Sequence, residues 1–146
     1  MNSKPYLSPE DARQVGDAAV AHAQARGFGV SIAVVDDGGH LLWFQRLDGA
    51  PPIAAHIAPA KARTAALGCR ESRVYEELIN AGRTSFLSAP TLEGMLEGGV
   101  PVMVNGHCAG AVGVSGVKSS EDAEVARAGA GLSSRRRSAT KTGRRL

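Results

Sequence analysis

The sequence predicts an α+β domain in which helices pack on an antiparallel sheet. Two observations carry this reading. Two pairs of apolar runs each flank a cluster of turn residues, and segments of helical periodicity precede, separate and follow them. No repeat at fixed period competes with a single unit, and 146 residues at 43% hydrophobic content suffice for one domain with a real core.

The first helix is expected to start at Ser8, with Pro9 at its first position and Glu10 and Asp11 in the first turn, where the helix dipole favours anions. It should stop near Gly27. Along it Ala12, Val15, Ala19 and His22 recur at helical spacing, which turns His22 inward. A β-hairpin comes next, Val30 to Val35 and Leu41 to Phe44 around Asp36-Asp37-Gly38-Gly39. Its first run is apolar almost throughout, as a central strand covered on both faces would be.

Ile53, Ile57, Ala60, Thr64 and Leu67 then mark a second helix that contains Pro59, where a backbone donor is missing and a kink or break is expected. A short helix should cover about 72–81, and "RTSFLSAPTLEGMLEGGVP" reads as loop. The second hairpin joins "VPVMV" and "AGAVGVSG" through Asn105-Gly106, a pair that tolerates positive φ, so His107 and Cys108 lie just past a turn. A closing helix should run from about Ser119 to Leu132, with Glu121 and Asp122 in its first turn.

Charge divides the chain into a body and a C-terminal tail. All 14 acidic residues precede Ala126, whereas six of the 17 basic ones lie between Arg135 and Arg145. Residues 1–132 are therefore mildly acidic, and 133–146 form a basic tail whose composition predicts disorder. No basic stripe with interleaved aromatics marks the body, so nucleic-acid contact is expected only of the tail. The N-terminal "MNSKPYLSPEDAR" lacks the apolar core of a signal peptide, and no apolar run reaches the roughly 18 residues of a membrane span. Cys69 and Cys108 are far apart in sequence without a CxxC pairing and read as free thiols, in keeping with a soluble cytoplasmic protein.

No G-x-S-x-G, H-E-x-x-H, P-loop or G-x-G-x-x-G between strand and helix is present, which removes the common hydrolase, protease and nucleotide-binding signatures. The histidines at 22, 40, 56 and 107 are not paired with one another, with cysteine or with carboxylates at metal-ligand spacing. An axial ligand to haem iron needs only one histidine, and His22 is the candidate, against the simpler reading of a core histidine. His56, one turn after Ile53, is a weaker candidate; His40 and His107 read as turn-edge residues. The strand end "RLDGA" and the helix bearing Lys61 bring Arg46, Asp48 and Lys61 towards one end of the sheet. They form either a site for a carboxylated ligand, such as a haem propionate, or a structural Arg46–Asp48 pair at the corner. Glycines at 110, 113 and 116 fit close packing or a ligand approaching the main chain.

The combination of "SIAVVDDGGHLLWFQRLDGA", "APAKARTAA", "GGVPVMVNGHCAGAVGVSG" and "SSEDAEVARAGA", in that order, resembles the GlcG/HbpS family of haem-binding proteins, also called the haem-degrading domain, over about residues 8–132. The resemblance implies profilin-like α/β/α layers around a five-stranded antiparallel sheet, and homo-oligomers with sites near subunit interfaces. It implies that His22 is similar to the haem-binding histidine of PduO-type members. It also places Arg46, Asp48, Gly49, Lys61, Gly98, Gly99, Pro101, Gly113, Ser115 and Gly116 on the family pattern; Val117, Lys118 and the basic tail depart from it. Three functions compete: haem binding or handling with His22 as axial ligand, acid–base catalysis on a carboxylated metabolite with Lys61 and His56 near Arg46, and a non-catalytic assembly role in which the tail contacts a partner.

Overall fold

A computed structural model describes residues 1–131 with their side chains and the helical backbone onward to Gly143. The order is α1 (Pro9–Arg26), β1 (Ser31–Asp36), β2 (Leu41–Arg46), α2 (Ala54–Gly68), α3 (Arg73–Asn80), a 3-10 turn (Thr84–Ser88), β3 (Gly99–Val104), β4 (His107–Ser115) and α4 (Ser119–Gly143). The expected disordered tail over 133–146 lies outside the residues described with side chains. Among the described residues no helix is long and apolar enough to cross a membrane.

The α+β class is as expected, but the sheet has four strands rather than five, in the order β2-β1-β4-β3 and antiparallel throughout. The chain between α3 and β3 supplies no fifth. It is spent on the 3-10 turn and on a loop where Pro90, a positive φ at Thr91 and Gly98 interrupt any ladder.

Local chemistry sets the element ends where the sequence placed them. The Ser8 hydroxyl accepts from the Asp11 amide at 3.1 Å, the Asp11 carboxylate accepts from the Ser8 amide at 3.0 Å, and Gly27 ends the helix. In the first hairpin the Asp36 carboxylate accepts from the amides of Gly38 and His40, each at 2.9 Å, which closes the turn. Asn105 and Gly106 turn the second with φ of 53° and 77°. Pro101 is accommodated because β3 is an edge strand.

Two cores form on the two faces of the sheet. On one, Ala12, Val15, Ala19 and Ala23 of α1 and Val125 and Ala126 of α4 meet Ile32, Val34, Val102, Val112 and Val114. On the other, Ala58, Ala62, Ala65 and Ala66 of α2 meet Ala33, Val35 and Ala111. The second interface is built almost wholly of alanine and glycine, so the helix lies close to the strands. A Cβ at Gly113 would collide with the Ala58 carbonyl oxygen and stand 2.5 Å from the Ala62 amide nitrogen. The bulky stripe of α2 is thereby turned away: Ile53 and Leu67 are exposed. Pro59 sits in the first half of α2 without breaking it, since the helix is continuous from Ala54 to Gly68.

Because no shift of one side chain can clear two helix-backbone atoms, Gly113→Ala is expected to lower stability by about 1–3 kcal/mol. Urea unfolding checks this: the midpoint should fall while the denaturant slope stays unchanged.

Candidate functional site

Strand register gathers one group of candidates. Arg46 pairs with Ser31, and Ser31 with Ser115, so the three stand in one row across β2, β1 and β4 at the same end of the sheet. Ser31 shares its face with Ala33 and Val35, the side on which α2 packs. Helix α2 runs against β4 with Ala58 and Ala62 over Gly113 and the Ala66 carbonyl near Cys108, so its first turn points towards this row.

Arg46 is exposed and donates through Nε and Nη2 to the Ala50 carbonyl, at 3.2 and 2.8 Å. Its guanidinium thus holds the loop leading into α2 rather than pairing with the exposed Asp48. Ser115 is 7% exposed, while Ser31 is fully buried. The Ser31 hydroxyl is the one buried side-chain polar atom without a hydrogen-bond partner among the described residues. Such an orphan costs about 1–3 kcal/mol, so its presence at a candidate site calls for an explanation.

Lys61 lies beside this row but inside the protein. Its Nζ donates to the Val114 carbonyl at 2.9 Å and to the Asp122 carboxylate at 3.2 Å, and both side chains are almost fully buried. Gly98 makes room for it: at φ of 133°, a Cβ there would stand 2.7 Å from Lys61 Nζ. The other Asp122 oxygen accepts from the Val117 amide at 3.1 Å. Burial pushes the Asp122 carboxyl above its ordinary range, and the Lys61 charge opposes that push. His56, on the same helix, is exposed, so the structure does not bring His56 and Lys61 together.

His22 occupies a different place, the seam between α1 and α4. Its Nε2 lies 2.7 Å from Glu124, and the imidazole side chain is 36% exposed. Arg26 joins the same carboxylate at 3.0 Å and stacks over Phe28 at 4.9 Å. The His22 hydrogen bond, the larger cause, and the Arg26 charge hold the Glu124 carboxyl below its ordinary range. His22 therefore sits at the edge of the inward face of α1, not at its centre.

Sequence reasoning missed four participants. Asp122 carried a visible signal as an acid in a helix first turn but none of its pairing with Lys61. Glu124 gave none, because its partner is 102 residues away. Ser31 was hidden in an apolar run. Ser72, fully buried, accepts from the Gly99 amide at 2.8 Å and so ties the start of α3 to the Gly98-Gly99 bend. A cavity of about 450 Å³ lies elsewhere, between α3 and the loop before β3, lined by Glu76, Ile79, Leu87, Glu93, Met95 and Leu96 among others. It includes none of the candidate residues, and no group of three or more His, Cys, Asp or Glu among the described residues could hold a metal ion.

Comparison with known proteins places the whole body of the chain in a family. A family model described as "HbpS-like: Haem degrading protein HbpS-like" matches residues 7–131. Protein GlcG of Escherichia coli K12 is 55% identical over 115 residues, covering 79% of this chain and 85% of that protein. A solved double mutant of Streptomyces reticuli HbpS superposes with a TM-score of 0.80 at 33% identity, covering 90% of each chain. A solved complex of PduOC with haem superposes with a TM-score of 0.76 at 26% identity, over 86% of this chain and 93% of that one.

Replacing Lys61 by Met leaves the Asp122 carboxylate buried and unpaired, which should cost about 3–5 kcal/mol at neutral pH, whereas Lys61→Met with Asp122→Leu should recover most of that loss. A carboxyl whose folded pKa is raised above the ordinary 3.8 binds protons more tightly when folded, so its contribution to stability is full below that value and is lost as pH rises through the folded one. Denaturation of Lys61→Met across pH should accordingly show its deficit shrinking on acidification. A deficit independent of pH would contradict the pairing.

Proposed function

The chain belongs to the HbpS-like family of haem-degrading proteins, and on that premise we propose that it is a cytoplasmic haem-binding protein in which His22 is the axial ligand. The observation that carries this reading is the likeness to the PduOC:haem complex combined with a histidine whose ring edge reaches solvent at the α1–α4 seam. The donor set fits. Haem iron accepts a single imidazole, and Arg26, 49% exposed beside it, offers a cation for a propionate.

When bound, haem supplies an iron centre for redox or ligand chemistry. The chain holds and orients it. To hold the iron through Nε2, His22 would have to leave Glu124, and Arg26 would keep that carboxylate paired. Glu124 thus sets a competition for the imidazole, since the hydrogen bond it accepts is the one ligation breaks. The His22 edge is open on a single chain. Exposed Leu41 and Phe44 stand opposite Val35 and Ala33, on the α2 side of the sheet, so an assembly through them would use the face away from His22.

A second reading rests on the Ser31 orphan. The row of Arg46, Ser31 and Ser115 would take the carboxylate of a small metabolite, which gives Ser31 an acceptor it lacks and uses the guanidinium in place of the Ala50 carbonyl. In this reading Lys61 is held by Asp122 and positions β4. Proton transfer by Lys61 or His56 would need a group within about 3 Å of the substrate, which requires the buried pair to open.

Hemin titration followed by Soret absorbance tests the first reading. Wild type should show a saturable band, His22→Ala should lose it, and Glu124→Gln should keep it with tighter apparent binding; a band indifferent to His22 overturns the assignment. For the second, Ser31→Ala should be neutral or stabilising by up to about 1 kcal/mol in the free protein, because it removes an unpaired hydroxyl. The same variant should lose the thermal shift given by small hydroxy- or oxo-carboxylates. A ligand-induced shift equal to wild type removes Ser31 from the site.

A further inference from the structure

The two cysteines, 39 residues apart in sequence, meet in space at one backbone carbonyl. Cys69 caps the C-terminus of α2, and its Sγ lies 3.6 Å from the Ala66 carbonyl oxygen. Cys108 stands on β4, where the ladder to β3 slips register, and its Sγ lies 3.8 Å from the same oxygen and 3.4 Å from that of Gly110. Both thiols are free.

Their surroundings differ in the way a reacting pair needs. Cys69 is exposed, whereas Cys108 is half-buried. Burial pushes the Cys108 thiol up to about 11, with Cys69 and Asp37 adding to the push and a backbone hydrogen bond at Gly110 opposing it. Lys4, ion-paired with Asp37 at 2.8 Å, is close enough for its charge to be felt by both sulfurs. The accessible thiol is thus the attacking one, and the buried thiol is shielded from direct modification.

We propose that Cys69 and Cys108 are a dithiol site that a low-molecular-weight disulfide converts to an intrachain disulfide, fastening the end of α2 to β4. The Cys69 thiolate attacks one sulfur of the oxidant RS–SR, forming a Cys69 mixed disulfide and releasing RS⁻. Cys108 then loses its proton and attacks Cys69 Sγ, forming the protein S–S bond and expelling the second RS⁻. The two cysteine protons go to the two released thiolates. The pair gives up two electrons and the oxidant is reduced to two thiols. The new bond closes a loop that contains α3, the 450 Å³ cavity and the Gly98-Gly99 bend over Lys61.

The test incubates the native full chain with glutathione disulfide and reads intact mass with a non-reducing gel. Wild type should lose two hydrogens, stay a single chain on the gel and carry no adduct. Cys108→Ser should gain one glutathionyl group on Cys69, and Cys69→Ser should remain unmodified over the same interval, circular dichroism showing both folded. Oxidised wild type should unfold several degrees above the reduced protein, because the bridge restricts the unfolded chain. A stable mixed disulfide on wild type, an interchain dimer, or an internal bridge that appears only in denaturant overturns the proposal.

Discussion

The close approach of α2 to β4, sealed by the buried pair of Lys61 and Asp122, is the constraint on which the other features depend. One ammonium joins the middle of α2, a β4 carbonyl and the start of α4, three elements far apart in sequence. The approach is available only because the helix face is alanine and the strand offers Gly113. A face so small leaves no space for larger side chains, so Ile53 and Leu67 are directed outward. The same geometry brings the first turn of α2 towards the row of Arg46, Ser31 and Ser115.

This arrangement separates two places that a sequence reading tends to merge. Arg46, Ser31 and Ser115 line up across the sheet at one end, and Lys61 is next to them but occupied. His22 belongs to the α1–α4 seam, in a chain of contacts that runs through Glu124 and Arg26 to Phe28. The first place suits a small anion, since its distinctive property is a buried hydroxyl without an acceptor. The second suits a metal-bearing ligand, since its distinctive property is an imidazole that is accessible and held by a displaceable carboxylate.

Local signals were legible in the sequence because local physics decides them. Ser8 and Asp11 declare a helix start, Asp36 to Gly39 and Asn105-Gly106 declare turns, and the unbroken apolar run of β1 declares a strand covered twice. The fifth strand came from the resemblance and not from any apolar run, and the loop before β3 contains none. Apolar periodicity misleads in α2, where the stripe of isoleucine and leucine suggests a core face but alanine packs better against a glycine-bearing strand. Long-range polar pairing was not legible at all: nothing in the local pattern links His22 to Glu124, Lys61 to Asp122, or Cys69 to Cys108. Charge type and hairpin position could be read, but the partner that each charge finds depends on how the layers close.

Amide hydrogen exchange of the full chain with and without hemin tests the His22 assignment most directly. New protection is expected in α1 around His22 and in the facing turns of α4, with the β2–α2 corner from Arg46 to Ala50 unchanged. Protection centred on that corner, with the α1–α4 seam unaffected, would contradict the assignment and place the functional centre at the end of the sheet.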